Sequence, residues 1–424
     1  MSSWDVLVVG LGTAGAATVA ACAAEGLRVL GVDRVELDSA GAGWINGVPE
    51  WAFEAAGVAA PWGPELHAKG LDFHMLAGWG PRRVRMRGHD LMEVDMGLLS
   101  RRLRALAQQR GATLRRLRVL DFDGRHLETS QGQLTAEVYV DASGLSGASL
   151  MRQPGVARED LCVAAQQVHA VTDLQAARDF FARHEVPVGH TLCFTSIAGG
   201  YSILNLRLAG ERLAVLAGAI PGLGHPSGPA LIRQLRSEQG WVGDKISGGS
   251  RPIPLQAPPL CIGEGRVALI GDAARQVHSA HGSGIAQQLL AARLLARVVA
   301  SGRGPAEYNR QWQRRHGGLL AGADVFRRFS ADLGVERLGQ LMEAGVLTPG
   351  ISADVLTQRR PRPAPAELLQ AGRGLLRAGR LSARLAPVLA RMAALEAHYL
   401  RYPGSSAGLV RWNRQRRALL GSAA

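Results

Sequence analysis

A chain of 424 residues with 47% hydrophobic content is long enough for two intimately packed domains and too apolar to be disordered. Its formal charge of +14 is almost all arginine, since Lys69 and Lys245 are the only lysines, and no helix-turn-helix or RNA-binding aromatic motif accompanies it, so a nucleic-acid partner is not expected. Cys22, Cys162, Cys193 and Cys261 stand far apart with no CxxC and no histidine at ligand spacing, which argues against a metal site, a disulfide framework or a redox dithiol.

The elements follow in chain order. Residues 5–10 form a short apolar run ending in glycine, the pattern of a buried parallel strand. Residues 13–25 are Ala-rich and helical up to Gly26, and residues 28–33 give a second strand, completing a βαβ unit of about thirty residues. Residues 38–90 are rich in Gly, Pro and Trp; loops are expected, with a short helix at 50–56 and strands near Phe73 and Arg83. Residues 96–110 read as a helix with an apolar stripe (Leu98, Leu99, Leu103, Leu106) and an arginine-rich outer face. Strands are expected at 113–122, 126–129 and 138–141, the first two in a small antiparallel sheet and the third in the main parallel one. Alternation then marks strands at 162–171, 190–197, 201–208 and 213–219, interrupted by helices at 173–184 and 229–238. A buried strand returns at 266–271, a long helix occupies 284–300, and the rest is helical and arginine-rich.

Gly10-Leu11-Gly12-Thr13-Ala14-Gly15 is a GxGxxG between a strand and a helix. Gly10 serves the tight turn, Gly12 lets the backbone approach a pyrophosphate at the helix start beside Thr13 and Ala14, and Gly15 allows close helix–sheet packing. Asp33, 18 residues after Gly15, is placed to accept from ribose hydroxyls, with Arg34 beside it. This motif leaves FAD and NAD open. A second piece, Gly271-Asp272, ends a buried strand, and Gly282-Ser283-Gly284-Ile285 opens the next helix; the acid suits ribityl hydroxyls, and the amides suit a flavin carbonyl or pyrophosphate. A third piece runs from Val140 through Asp141-Ala142-Ser143-Gly144 to Ser146.

In order and spacing the three pieces resemble those of FAD-dependent group A hydroxylases, and more closely those of geranylgeranyl-reductase-like flavoproteins, over roughly residues 4–300. The resemblance implies FAD as cofactor. With no second GxGxxG, electrons are expected from transiently bound NAD(P)H or a partner reductase. Two positions depart from the pattern. The arginine that touches the flavin in many relatives is Met96 here, with Arg101 or Arg102 as substitutes, and the usual proline near the Gly-Asp loop is Ser279.

The expected fold is α/β. A Rossmann-like FAD-binding domain, a parallel sheet with a small antiparallel meander, takes residues 1–45, 90–150 and 262–300; a substrate domain with an antiparallel sheet takes 46–89 and 151–261; a helical region takes 301–424. His278 and His281 are the candidate proton donors, on the expectation of near-neutral pKa values, and Trp44, Asn46 and Tyr201 are candidate pocket residues. The expected activity is reduction of an apolar small molecule (isoprenoid, polyketide-like or another secondary metabolite). The alternatives are a monooxygenase that hydroxylates or epoxidises it, a halogenase using Lys69, and a non-catalytic flavin-fold binding protein. No run reaches the roughly 18–20 apolar residues of a membrane span, and the N-terminus enters a strand without a basic leader, so a cytoplasmic location is expected. Leucines interleaved with Arg373, Arg377, Arg380, Arg384 and Arg391 between residues 368 and 400 suggest peripheral membrane contact. Oligomeric state is left open.

Overall fold

Apolar runs with both faces buried need helices on either side, and this requirement organises the first half of the molecule. In the computed structural model, which describes residues 4–421 except Ser146, an eight-stranded sheet has a parallel centre. The order there is Thr113–Arg116, Val29–Asp33, Trp4–Val9, Gly132–Asp141 and Val267–Leu269. Val6, Leu7 and Val8 are fully buried at its middle. The twelve residues of the Thr13–Ala24 helix are all small or β-branched, and it lies against the Met96–Gln109 and Ile285–Ala300 helices; alanines favour the helix and let its neighbours approach closely. Gly26, in a left-handed conformation, follows its end.

The 113–122 segment is two strands and not one. Thr113–Arg116 joins the main sheet beside Val29–Asp33, while Val119–Phe122 turns into an antiparallel meander with His126–Thr129. Gly132–Asp141 serves both, pairing antiparallel with the meander at its start and parallel with Trp4–Val9 over Ala136 to Asp141. The expected α/β architecture is otherwise what the structure shows.

A seven-stranded sheet stands apart, ordered Val242–Pro254, Leu161–Val171, Arg212–Ala219, Ser202–Ala209, Thr191–Thr195, Phe73–Ala77 and Arg83–Met86. Its Val242–Pro254 edge is Gly-, Ser- and Pro-containing, with poor strand propensity. Pairing along Leu161–Val171 overrides that, because Gly248 lets its backbone lie directly against the Gln166 carbonyl. Three further strands, Ile45–Pro49, Leu91–Asp95 and Leu66–Lys69, form a small sheet in the region read from sequence as mainly loops.

The C-terminal helices close the molecule. Pro305–Trp312 buries Tyr308 and Trp312 in the core of the parallel-sheet domain. Gly318–Glu343, broken at Gly334, packs on the Arg380–Leu400 helix and reaches the Phe73–Ala77 strand. It is pinned by Arg327, buried between the carboxylates of Asp160 (2.6 Å) and Asp324 (2.8 Å). Among the described residues no helix is long and apolar enough to cross a membrane.

Candidate cofactor-binding site

The site begins where the Trp4–Val9 strand ends. Gly10 has φ of +93°, and a Cβ there would lie 2.5 Å from the Ala142 carbonyl oxygen, so the Asp141-Ala142-Ser143 segment sits directly on the turn. Gly15 is equally constrained, since a Cβ would collide with the Gly10 carbonyl. Asp33 holds the turn from beside: its Oδ2 accepts from the Leu11 amide at 2.7 Å and its Oδ1 from the Val35 amide at 3.1 Å. Each oxygen retains acceptor capacity for a ribose hydroxyl. The Thr13–Ala24 helix has no acidic residue in its first turn, which leaves its positive end for an anion.

The second turn docks on the first. Gly271 has φ of +73°, and a Cβ on it would come within 2.8 Å of the Ala14 Cβ. Its amide donates to Gln276 Oε1 (2.8 Å); Gln276 Nε2 donates to the Tyr308 hydroxyl (2.9 Å), which donates to the Leu269 carbonyl (3.1 Å). Asp272, next to Gly271, is thereby held near the first helix start, with one long contact from Gln288 Nε2 at 3.4 Å. Burial pushes its carboxyl up to about 6, tempered by the positive charge of Arg251. Gly284 caps the Ile285–Ala300 helix where a Cβ would meet the Gln276 carbonyl at 2.6 Å.

Between the turn and that helix lies the 277–283 loop. The His278 amide donates to the Ser283 carbonyl (2.9 Å), the Gly282 amide to the His278 carbonyl (2.9 Å), and the Ser283 amide to His281 Nδ1 (3.3 Å). The two imidazoles stack at 4.6 Å. Burial lowers His278 well below the ordinary histidine range, and burial lowers His281 to about 4 against a smaller opposing pull from the Val355 carbonyl. Both rings are therefore neutral near pH 7, which corrects the expectation of near-neutral pKa values. His278 Nδ1, Ser279 Oγ, His281 Nε2 and Gln287 Oε1 are buried without a hydrogen-bond partner among the described residues. Such a concentration of unpaired polar atoms points to a polar ligand.

Trp44, Tyr201 and Val277 pack in one apolar cluster with Ile220 and Leu255, so two of the three candidate pocket residues meet at this loop. Asn46 is half-buried opposite Val94, and its neighbour Ile45 donates to Gln166 Oε1 at 3.4 Å. Arg34 is exposed. Arg101 lies on the outer face of its helix, 57% exposed and 3.6 Å from Asp38, and Arg102 pairs with Glu65. The arginine that reaches the glycine turn is Arg104, buried, donating to the carbonyls of Leu11 (2.9 Å) and Ala40 (3.4 Å). Its signal was present in the sequence: Arg104 falls among Leu99, Leu103 and Ala107 on the buried side of the helix, not on the outer face. Gln358, buried at φ of +57°, contacts Ser283 Oγ and Gln287 at 3.4 Å from the far C-terminal region, and no local pattern announces it.

Two other features stand outside the crevice. Lys69 pairs with Glu50 at 2.6 Å on the small sheet. Asp72, His74 and His190 bring their ligand atoms within 4.8 Å of one another, but Arg85 Nε and Nη2 (2.9 and 2.6 Å) already occupy the Asp72 Oδ2, and a second positive charge there would be repelled.

A parallel sheet with a glycine turn at the strand ends, a second Gly-Asp turn locked onto it and a separate, mainly antiparallel sheet make up the fold of FAD-binding flavoproteins, and the chain has that fold. It is similar to a geranylgeranyl bacteriochlorophyll reductase-like protein from Thermoplasma acidophilum, with a TM-score of 0.69 and 18% identity over 93% of this chain and 100% of the other. It is similar to the halogenase PltM (TM-score 0.63, 15% identity, 99% and 97% covered) and to the flavin-dependent brominase Bmp2 (0.62, 14%, 88% and 98%). No family model and no curated protein matches the sequence.

Proposed function

We propose that the chain is an FAD-dependent oxidoreductase of the geranylgeranyl-reductase-like kind, acting on an apolar small molecule such as an isoprenoid or polyketide-like metabolite. One observation carries the reading. Gly271 rests on Ala14, which brings Asp272 beside the start of the Thr13–Ala24 helix, and the unpaired atoms of the 277–283 loop lead into the start of the Ile285–Ala300 helix.

In this reading Asp33 accepts from the adenosine ribose, the amides at Gly12 and Thr13 receive the pyrophosphate, and Asp272 accepts from a ribityl hydroxyl. The amides at Gly284 and Ile285 face the ring. FAD, when bound, supplies the hydride or oxygen chemistry, with NAD(P)H or a partner reductase as the electron source. Because His281 Nδ1 accepts from the Ser283 amide, the single proton of that neutral ring sits on Nε2. Trp44, Tyr201 and Val277 exclude water from the same side and favour an apolar substrate.

The second reading, a monooxygenase on such a substrate, is favoured by the neutral histidines. Reduction of a double bond needs a proton delivered to carbon, and neither imidazole is cationic near pH 7. Halogenation ranks lower, because the Lys69 amine is engaged by Glu50. The test is to titrate purified protein with FAD, then follow NADPH oxidation and product formation with and without oxygen. Substrate reduced anaerobically supports the reductase; oxygen-dependent, substrate-stimulated NADPH use supports the monooxygenase. Failure to take up FAD overturns both.

A further inference from the structure

The Pro365–Ala378 helix is amphipathic in the inverted sense. At 100° per residue, Pro365, Leu368, Leu369, Gly372 and Leu376 fall within one third of its circumference. On an ordinary surface helix that stripe would face the core. Here Leu368, Leu369 and Leu376 are 57%, 63% and 84% exposed, and the opposite side is docked. Gly374 is the contact point: a Cβ there would lie 2.5 Å from the Ala344 carbonyl oxygen, so the helix backbone rests on the end of the Gly318–Glu343 helix. Ala378 packs against the C-terminal core on the same side, and Leu375 packs against it from the edge of the leucine stripe. The leucines thus face solvent because the glycine side is the one that fits.

Charge completes the picture. Residues 359–391 hold eight arginines and one acid, Glu367. That acid is turned inward, its Oε1 accepting from the Gly350 amide at 2.9 Å. Arg373, Arg377, Arg380 and Arg384 are exposed, and none has an ion-pair partner among the described residues. Leucines projecting from a docked helix, flanked by unpaired guanidinium groups with no outward acid on the same segment, match an anionic lipid surface. The leucines enter the acyl boundary and the arginines meet the headgroups. A polyanion such as nucleic acid would use the arginines and leave the leucines in water.

We infer that this helix seats the protein peripherally on an anionic membrane, independently of the flavin chemistry. The test is co-sedimentation of the full chain with vesicles of pure phosphatidylcholine and with vesicles containing roughly one-third phosphatidylglycerol, at low and high salt. Binding is expected only to the anionic vesicles, and weakened about tenfold or more by high salt. Leu368→Gln/Leu369→Gln/Leu376→Gln and Arg373→Gln/Arg377→Gln/Arg380→Gln/Arg384→Gln should each weaken it by at least about tenfold. These side chains are exposed, and an unchanged melting temperature checks that the fold is intact. No binding of the unaltered chain at low salt overturns the proposal, as does binding that survives the leucine triple change. So does a concentration-dependent dimer that the leucine change dissolves, with no vesicle binding at all, since a second copy would then cover the face.

Discussion

Gly271 and Ala14 meet with no room between them: a methyl group on Gly271 would stand 2.8 Å from the Ala14 Cβ, and the Gly271 backbone is left-handed at φ of +73°. The contact couples two segments more than 250 residues apart in sequence and fixes Asp272 relative to the first glycine turn. Gly271→Ala carries both the left-handed penalty of about 1–2 kcal/mol and a clash with a buried helix. It should lower the melting temperature and weaken FAD binding by more than about tenfold, read by quenching of flavin fluorescence. Unchanged affinity in a folded variant would break the proposed link between the turns.

Acidification should destabilise the chain, and the sign follows from which groups burial perturbs. His74 and His281 are lowered to about 4 and His316 to about 3, each chiefly by burial. In the unfolded chain they take up protons near pH 6.5, so stability present above that pH is lost as it falls toward 4. Asp272 works the other way. Raised to about 6 by burial, it penalises folding above pH 6, and that penalty fades as the pH drops through 6 toward 4. Three histidines outweigh one carboxyl, so a falling melting temperature between pH 6.5 and 4 is expected. In Asp272→Asn the fall should be steeper, because the opposing group is gone. FAD affinity of the unaltered chain should rise as pH increases through 6, where Asp272 ionises and accepts better. A flat binding profile would argue against Asp272 as a ribityl acceptor.

Arg327 ties the C-terminal helices to the antiparallel sheet through Asp160 and Asp324. Arg327→Met strips the central cation from two buried carboxylates, a change worth about 3–5 kcal/mol where nothing compensates. Arg328 lies 2.8 Å from Asp160 and 3.2 Å from Asp324 and keeps part of the pairing. A loss of about 2–3 kcal/mol is therefore expected from Arg327→Met alone, measured by chemical denaturation. Arg328→Met alone should cost less, being 43% exposed. Equal losses from the two would mean that burial does not set the hierarchy.

The parallel sheet and its glycine turn were legible because their signals are local. An apolar run, a glycine at a left-handed position and an acid at the next strand end are all set by residues within one βαβ unit. The Glu50–Ala56 helix was readable for the same reason. Asp272 was legible as a motif, but its contact with Ala14 was not. What escaped depends on distant partners. Val242–Pro254 is a strand because Leu161–Val171 lies beside it, and Gln358 reaches Ser283 across 75 positions. The histidine pKa values were misjudged because enclosure of the 277–283 loop is a tertiary property. Arg101 and Arg102 stand out by arginine density alone; Arg104 is found only from the phase of Leu99 and Leu103, which puts it on the buried side of the same helix.

Arg104 offers the sharpest separation of cofactor binding from stability. Its guanidinium is buried with no carboxylate in contact, and burial lowers its pKa; its donors go to the Leu11 and Ala40 carbonyls. Each hydrogen bond from a charged donor contributes about 1.5–3 kcal/mol, but burying the cation offsets much of that. Arg104→Met, of similar length and apolar, should therefore change stability without cofactor by less than about 1.5 kcal/mol. The two carbonyls it held belong to the glycine turn and to the loop that leads to Gly41, whose Cα lies close against Gly12. Released, both segments would have to be ordered again by FAD, at the expense of affinity. A tenfold to hundredfold weaker dissociation constant with a nearly unchanged melting temperature is the expected pattern. Arg104→Lys should restore part of it, because both bonds leave from the single nitrogen Nη1 and an ammonium also carries more than one donor on one nitrogen. If affinity and stability fall together in proportion, Arg104 serves the core and not the turn.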